Sequence, residues 1–184
     1  MSGPLAASIP SALLIVRRRM TLFKEISESA FAPFFGLMAE IEHTKLNIAN
    51  PNHAEWLQRK IRLHYLRGVK FFAYYIDGER PAGLVAVLHE EAPEGIPALG
   101  MRAEVLDIGV YPEYRRQGYG SVLLQYAENY LRDKGVYCMF MMAYAEDYDV
   151  IAFYGKNGFV PVATLPDTYG PQWEGNVFLR KLLK

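Results

Sequence analysis

The spacing of hydrophobic and polar positions along the chain predicts alternating strands and helices. Apolar runs and period-two alternation predict strands at residues 13–20, 70–76, 82–89, 102–111, 136–144, 159–164 and 177–182. Apolar residues at helical spacing predict helices at residues 22–44, with an interruption near Pro33, and at residues 52–67, 121–134 and 150–156. A strand, a glycine-rich turn, a helix and another strand in the middle of the chain, with antiparallel hairpins around them, favour an α/β (α+β) fold in layers.

The organisation of the chain predicts one domain that spans residues 1–184. The sequence contains no internal repeat and no long linker, and 51% of its residues are hydrophobic, which is too many for intrinsic disorder. The 20 basic and 20 acidic side chains give a formal net charge of zero. Because no overall positive field is available to hold a polyanion, we expect no nucleic acid partner.

The apolar stretches and the cysteine content indicate the surroundings of the protein. The longest apolar stretches, 30–39 and 136–145, are about half the ~20 residues that a membrane-spanning helix needs, so we expect no membrane partner. At the amino terminus an apolar run precedes the arginines at 17–19, which is the reverse of the order in a secretory signal. Cys138 is the single cysteine, which excludes a disulfide within the chain and suits a reducing compartment. We therefore expect a cytoplasmic protein.

The most informative segment is residues 114–121, with the sequence YRRQGYGS, which lies between a predicted strand and the start of a predicted helix. A helix amino terminus presents unpaired N–H groups and the positive end of its dipole, and glycines let a ligand approach the backbone closely. Arg115 and Arg116 would add charge-assisted bonds, which favours a diphosphate as the ligand. The segment lacks a nucleotide P-loop ending and the three-glycine dinucleotide fingerprint, so ATP and NAD are disfavoured. Taken alone, it is equally compatible with a glycine-rich connection on a basic surface.

Two motifs in order give the chain a resemblance to a known family. Residues 110–120, with the pattern V-x-P-x-Y-R-x-x-G-x-G, resemble the acyl-CoA signature of the GNAT superfamily, the general N-acetyltransferases. Residues 152–159 (AFYGKNGF) resemble the second signature of that family, a short helix and an Asn-Gly-Phe turn into the next strand. The resemblance covers residues 70–184, whereas residues 13–67 match only in their pattern of a strand and two helices.

The resemblance implies the GNAT fold, a mixed central sheet of about six to seven strands flanked by about four helices. Acetyl-CoA, as co-substrate, would lie in a V-shaped opening between two central parallel strands, here residues 105–110 and 136–143. Residues 70–184 would form the CoA-binding sheet and the carboxyl-terminal part. The strand and helices at 13–67 would border the acceptor site.

The resemblance also implies a set of cofactor-binding residues. The backbone between Gln117 and Ser121 would bind the CoA pyrophosphate, and the strand edge at Ile108 and Val110 would pair with the amides of the pantetheine arm. Asp149 stands where many members have an Asn that contacts the cofactor, and a role as a helix N-cap is an equal alternative. The complete set is Ile108, Val110, Arg115, Arg116, Gln117, Gly118, Tyr119, Gly120, Ser121 and Asp149.

Acetyl transfer to an amine needs a base that neutralises the amine and an acid that protonates the leaving thiolate. The resemblance implies Tyr154 as the acid, because many relatives carry a tyrosine there beside the cofactor sulfur; the alternative is a packing tyrosine. Glu104, directly or through a water, is the best candidate base, because some relatives place their base at this strand position; the alternative is an ion pair with an arginine such as Arg102. Period-two alternation puts Glu104 and Asp107 on opposite faces of the strand unless a bulge intervenes, so Glu104 ranks first.

Other polar and aromatic residues are weaker candidates. His43 and His53 lie near the helix junction that would border the acceptor site. Residues 89–91 (HEE) are consecutive in a strand and point to opposite faces, so we expect no metal site. Cys138 lies inside an apolar strand and is expected to be an inert packing group. Three residues before the last strand are candidates for a wall of the acceptor pocket or for a loop anchor: Tyr169, Trp173 and Glu174.

These observations predict an acyltransferase, specifically an acetyl-CoA-dependent N-acetyltransferase that acts on a primary amine of a small molecule or protein by direct attack in a ternary complex. If Glu104, Glu146 and Asp147 face one opening, their charge would attract such an amine. The alternative is a GNAT-fold module that binds acyl-CoA as a sensor or interaction domain without turnover. An RNA-binding module is disfavoured by the neutral charge. The aromatic-rich surface permits a homodimer.

Overall fold

The computed structural model describes residues 22–42, 46–89, 101–167 and 175–183. Within these ranges the strands are β1 (Leu22–Ile26), β2 (Lys70–Ile76), β3 (Arg80–His89), β4 (Met101–Val110), β5 (Val136–Tyr144), β6 (Val160–Leu165) and β7 (Asn176–Leu182). The helices are α1 (Phe35–Ile41), α2 (Pro51–Leu66), α3 (Tyr119–Asp133) and α4 (Tyr148–Lys156), with short 3-10 turns at Glu28–Ala30, Ala32–Phe34 and Pro112–Tyr114. No helix in the described ranges is both long enough and apolar enough to cross a membrane.

The seven strands form one mixed sheet in the order β1-β2-β3-β4-β5-β7-β6. The central pair β4 and β5 is parallel, and every other neighbouring pair is antiparallel. The predicted fold, a mixed sheet of six to seven strands with four flanking helices, is confirmed. Pro51 at the start of α2 and the left-handed Gly68 after its end mark that helix within one residue of its predicted limits.

The prediction of a helix from residue 22 is wrong. Residues Leu22–Ile26 form β1, which pairs antiparallel with β2, and α1 begins only at Phe35. Phe23 stacks on Tyr126 of α3 with ring centroids 3.9 Å apart, and Ile26 is buried in the core on the other side of the sheet. Pairing with the edge of β2 therefore outweighs the helical spacing of the apolar residues. The predicted strand at 13–20 lies outside the described residues.

The sheet is covered by a hydrophobic layer on each face. On one face, α3 and Tyr154 of α4 pack against β2 to β5 and β7. On the other face, α1 and α2 pack against β2 and β3, with Phe34, Leu37 and Leu57 fully buried between them. The resulting α/sheet/α arrangement is the three-layer architecture that the alternating pattern predicts.

The parallel pairing of β4 with β5 is short. Paired positions run from Met101 opposite Val136 to Glu104 opposite Phe140, and none is formed beyond Glu104. From there to Val110 the edge of β4 that faces β5 has no strand partner in the described residues. The two strands thus enclose the V-shaped opening that the resemblance implies.

A β-bulge in β4 sets the direction of its carboxylates. The register of β4 against β3 shifts between Val105 and Asp107, so Leu106 is an extra residue in β4. Val105 and Ile108 both contact the core layer beneath α3, although strict alternation would place them on opposite faces. The bulge therefore brings Glu104 and Asp107 to the same side of the sheet, which faces α2. The prediction that Glu104 and Asp107 lie on opposite faces is wrong, because the β-bulge that it named as an exception is present.

The crossing of β3, β4 and α3 leaves no room for a side chain at Gly83. An added Cβ would lie 2.3 Å from the Gly109 carbonyl oxygen, whereas an added Cβ at Gly36 in α1 meets nothing within 4 Å. Gly83→Ala should lower the free energy of unfolding by roughly 1–3 kcal/mol through overpacking. Gly36→Ala, the matched control, should be neutral or stabilising by less than about 1 kcal/mol. Urea unfolding measures both, and equal stabilities of the two variants would contradict the close approach.

Candidate active site

The opening between β4 and β5 contains a cavity of about 740 Å³. Its wall comes from β4, β5, the amino terminus of α3, one side of α4, the carboxyl end of α1, and Lys60 of α2. One part of the wall is the start of α3, and another part is a group of carboxylates from β4 and from the end of α1. The size lies within the range of small-molecule and cofactor sites.

The amino terminus of α3 presents free backbone N–H groups to this cavity. Gly118 is the N-cap residue, with φ +87°, and no side chain caps the helix. The first bond within the helix runs from the Val122 N–H to the Gly118 carbonyl at 3.1 Å. The helix begins at Tyr119, two residues earlier than predicted, so the amides from Gly118 to Ser121 lie in its first turn. An uncapped helix terminus of this kind suits an anion, and the pyrophosphate site stays a prediction.

The two arginines of the loop differ in their environment. The Arg115 guanidinium pairs with Glu40 at 2.8 Å and donates to the Val110 carbonyl at 2.9 Å, so it links the end of β4 to α1. Arg116 has a side chain that is 89% exposed and lies 3.5 Å from Asp149. Arg116 is therefore more available to bind a phosphate, whereas the Arg115 guanidinium already pairs with Glu40 and the Val110 carbonyl.

The other predicted cofactor residues lie in the loop before α3, at the start of α3, in α4 and in β4. The Gln117 side chain donates to the Glu113 carbonyl at 3.1 Å, and the Tyr119 ring packs on Tyr74 with centroids 5.3 Å apart. Asp149 lies in the first turn of α4, whose N-cap is Asp147, so the alternative that Asp149 is the N-cap is wrong. Ile108 and Val110 lie on the unpaired edge of β4 and line the cavity.

Gly120 lies where α3 and α4 approach each other. An added Cβ there would lie 3.0 Å from the Phe153 ring. Both residues line the cavity, so a side chain at position 120 would enter the space between the α3 terminus and α4. The lack of a side chain is therefore required for the shape of the opening as well as for backbone access.

Tyr154 lies in α4 and lines the cavity, with only 3% of its surface exposed. Its ring contacts those of Phe153 and Phe159 at centroid distances of 5.0 and 5.6 Å. Burial raises the pKa of the phenol further above its usual range, and the negative charge of Asp107 acts in the same direction. Tyr154 is therefore a packing residue that also lines the cavity, and because its pKa is raised it stays protonated; its role as the acid remains a prediction.

Glu104 and Asp107 approach each other on the side of the sheet that faces α2. Burial raises the pKa of Glu104; the positive charge of Arg67 opposes this effect, and Asp107 adds to it. Among the described residues Glu104 forms no ion pair, and of the arginines only Arg67 acts on its pKa, so the alternative of an ion pair with an arginine such as Arg102 is wrong. A half-buried carboxylate with a raised pKa suits proton transfer from an ammonium group.

Asp107 is the most enclosed carboxylate of the cavity, with 7% of its side chain exposed. Its Oδ1 lies 3.5 Å from the Lys60 ammonium, which also pairs with Glu42. Its Oδ2 lies 3.5 Å from His64 Nε2 without forming a hydrogen bond. Burial raises the pKa of Asp107, and Lys60 opposes the effect. The sequence offers no local signal for this group, because its members are far apart in the chain.

The remaining predicted candidates fall elsewhere. The His53 ring accepts the Asn47 N–H at 3.2 Å, so it fixes the turn before α2 and does not line the cavity. Cys138 is buried and unpaired, in line with a packing role. Within the described ranges no three potential ligands cluster as a metal site, and the absence of a metal stays a prediction. Six predicted residues lie outside the described ranges: His43, Glu90, Glu91, Tyr169, Trp173 and Glu174.

Comparison with known proteins decides the family. The family model described as "Acetyltransferase (GNAT) family" matches residues 33–159, more than half of the chain. The chain belongs to the GNAT acetyltransferase family. No curated protein matches the sequence. As a family member, the chain has the expected signatures at the start of α3 and in α4, around the opening described above.

Three solved structures illustrate the shared GNAT fold. The ribosomal-protein-S18-alanine N-acetyltransferase from Escherichia coli has a TM-score of 0.68 and 14% identity, with 90% of this chain and 95% of that chain covered. The PaiA N-acetyltransferase from Thermoplasma acidophilum, in complex with coenzyme A, has a TM-score of 0.63 and 19% identity, with 88% and 98% covered. A chimera of the spermidine N-acetyltransferase SpeG from Vibrio cholerae and hSSAT has a TM-score of 0.68 and 16% identity, with 89% and 95% covered.

The geometry at Gly120 predicts how this GNAT protein binds CoA. Gly120→Val should weaken CoA binding at least ~10-fold, because the side chain fills space between the helix terminus and Phe153. Gly155→Val, in α4 where an added Cβ meets nothing within 4 Å, is the matched control and should bind CoA normally. Isothermal titration with CoA, acetyl-CoA and ATP measures the effect. Wild-type affinity in Gly120→Val, or equal binding of ATP, would contradict the assignment.

Proposed function

We propose that this GNAT protein is an N-acetyltransferase that moves the acetyl group of acetyl-CoA to a primary amine of a small molecule or protein by direct attack in a ternary complex. The observation that carries the proposal is one cavity whose wall contains the uncapped start of α3, the Tyr154 side chain and the pair of Glu104 with Asp107. An anion site, a proton donor and proton acceptors are the groups that this reaction needs.

The residues present fit acetyl-CoA. The amides from Gly118 to Ser121 would hold its pyrophosphate, and the unpaired edge of β4 at Ile108 and Val110 would pair with its pantetheine amides. The bound molecule supplies an acetyl thioester. Backbone N–H groups of the β4 edge would polarise the carbonyl of that thioester, since they have no strand partner beyond Glu104.

Proton transfer divides between two sides of the cavity. Glu104, directly or through a water, takes a proton from the acceptor ammonium, which frees the nitrogen lone pair. Asp107 holds negative charge beside it and stabilises the ammonium before the transfer. As the bond between carbon and sulfur breaks, Tyr154 donates its hydroxyl proton to the departing sulfur, and the second proton lost by the acceptor nitrogen restores the Tyr154 hydroxyl through water. The raised pKa of Tyr154 keeps its proton in place at neutral pH until then.

The surroundings favour a cationic acceptor group. The wall of the cavity carries six carboxylates against three basic side chains, so an ammonium ion is attracted to it. The similar structures named above include enzymes for a ribosomal protein and for spermidine, so the fold accommodates acceptors of both kinds. The cytoplasmic location, on the basis of the single cysteine, and a homodimer are further parts of the proposal.

Substitution of Tyr154 by phenylalanine, which removes only the hydroxyl group, tests Tyr154 as the general acid. Tyr154→Phe should lower kcat about 100-fold, because thiolate departure loses its proton donor, while the Kd for CoA stays within a factor of two. Tyr148→Phe is the matched control in the same helix, where Tyr148 is 71% exposed, and should keep full activity. Release of the CoA thiol with a panel of amines measures turnover. Unchanged turnover in Tyr154→Phe would remove this assignment, and CoA binding without turnover in wild type would favour the sensor module.

The pH dependence of kcat tests the base. Protonated Glu104 cannot take a proton, so kcat at saturating substrates should fall as the pH decreases through the pKa of this group, which burial raises above the ordinary glutamate value. Glu104→Gln should lower kcat about 100-fold and abolish this limb, whereas the exposed Glu113→Gln should match wild type. A limb that persists in Glu104→Gln and disappears in Asp107→Asn would instead make Asp107 the base.

A further inference from the structure

A second, smaller cavity of about 310 Å³ lies along α2, directly beside the first. Its wall consists of Trp56, Arg59, Lys60, Leu63, His64 and Arg67. These positions recur every three or four residues, so they form one stripe of α2, which we name the α2 subsite. Lys60 lines both cavities, which makes them neighbours.

The α2 subsite combines positive charge with apolar surface. The side chains of Arg59 and Arg67 form no hydrogen bond or ion pair with any described residue, and both residues are exposed. Trp56 is 42% exposed and Leu63 is 52% exposed, although both are large apolar side chains. Unpaired guanidinium groups beside exposed aromatic and aliphatic surface suit a ligand that has an anionic group and an apolar part.

A buried histidine joins the α2 subsite to the acidic cavity. Only 9% of the His64 side chain is exposed, neither ring nitrogen has a hydrogen-bond partner, and Nε2 lies 3.5 Å from Asp107. Burial, together with the charges of Lys60 and Arg67, lowers the pKa of His64 to about 4 against the opposing charge of Glu42. The imidazole is therefore neutral at pH 7. Because Lys60 is paired with Glu42 and Asp107, the positive charge of the α2 subsite comes from Arg59 and Arg67.

The two cavities thus have opposite charge within a short distance. Carboxylates dominate the first, where the amine would react, and cations dominate the second. Arg67 lies close enough to Glu104 for its charge to oppose the rise in that carboxyl's pKa. A group bound to Arg67 therefore lies near the proposed base.

We propose that the α2 subsite binds the carboxylate and apolar side chain of the acceptor, so that the preferred acceptors are apolar amino acids rather than simple amines or polyamines. This inference rests on the proposed N-acetyltransferase activity. The amine would enter the acidic cavity toward Glu104, the carboxylate would pair with Arg67, and the side chain would contact Leu63. Arg59 and Trp56, about one to three turns earlier in α2, extend the same positive and apolar surface. A polyamine would place a second ammonium against the same arginines and be repelled.

The test compares L-phenylalanine with phenethylamine, which lacks only the carboxylate. For the wild type and each variant, the kcat/KM for L-phenylalanine is divided by the kcat/KM for phenethylamine. The intrinsic difference in reactivity between the two amines then cancels when the variants are compared. Arg59→Gln/Arg67→Gln should lower the ratio of phenylalanine to phenethylamine at least ~10-fold, because the charge-assisted contact of Arg67 and the added positive charge of Arg59 are lost. Arg62→Gln is the matched control, since Arg62 is also exposed on α2 but lies outside the stripe, and it should keep the wild-type ratio. The wild-type ratio should also fall with added salt.

A binding measurement separates this inference from the proposed function. Calorimetric titration of L-phenylalanine into CoA-saturated protein needs no turnover. Binding that is lost in Arg59→Gln/Arg67→Gln and kept in Arg62→Gln supports the α2 subsite. This holds even if no amine is acetylated, because absence of acetylation would contradict only the proposed function. An unchanged ratio in the double variant, or acetylation of simple amines and polyamines without phenylalanine binding, would overturn the α2 subsite and leave the acetyltransferase proposal in place.

Discussion

The early end of pairing between β4 and β5 is the constraint on which the site depends. Parallel neighbours in a sheet normally continue to bond, but here the pairing stops at Glu104. The unpaired edge of β4, the exposed start of α3 and the inner side of α4 then face one space. The bulge at Leu106 lies just beyond this point and rotates Asp107 toward α2. Separation and bulge together create both the opening and its acidic wall.

Burial of polar groups around this opening is offset by packing elsewhere. A buried carboxylate oxygen without a hydrogen bond costs about 1–3 kcal/mol or more, and the Asp107 Oδ2 is such an atom. Fully buried side chains on both faces of the sheet, such as Phe34 and Leu124, provide the compensating apolar burial. The free-energy cost of burying polar groups is thus located at the site, while the stabilising apolar contacts lie in the two layers that pack on the sheet.

The sequence predicts the scaffold better than the site. Local signals such as Gly135 after α3 and the continuous apolar run of β5 mark those elements within two residues, because they act over a few positions. Leu22–Ile26 escapes prediction because its strand state depends on β2, far along the chain. The motifs identify the start of α3 and Tyr154, but nothing local indicates the bulge at Leu106. Without the bulge, the meeting of Asp107 with α2 is not predictable.

Lys60 gives the acidic wall a built-in counter-ion. Its ammonium lies against Glu42 and Asp107, so these carboxylates are neutralised in part when the cavity is empty. The folded state therefore does not need a bound amine to tolerate them. On the proposed function, an incoming ammonium would gain only the difference between its own contacts and those of Lys60, and an uncharged amide product would leave that balance unchanged. Binding of such an acceptor would then exchange one cation for another beside the carboxylates, and release of the product would restore the pairing with Lys60.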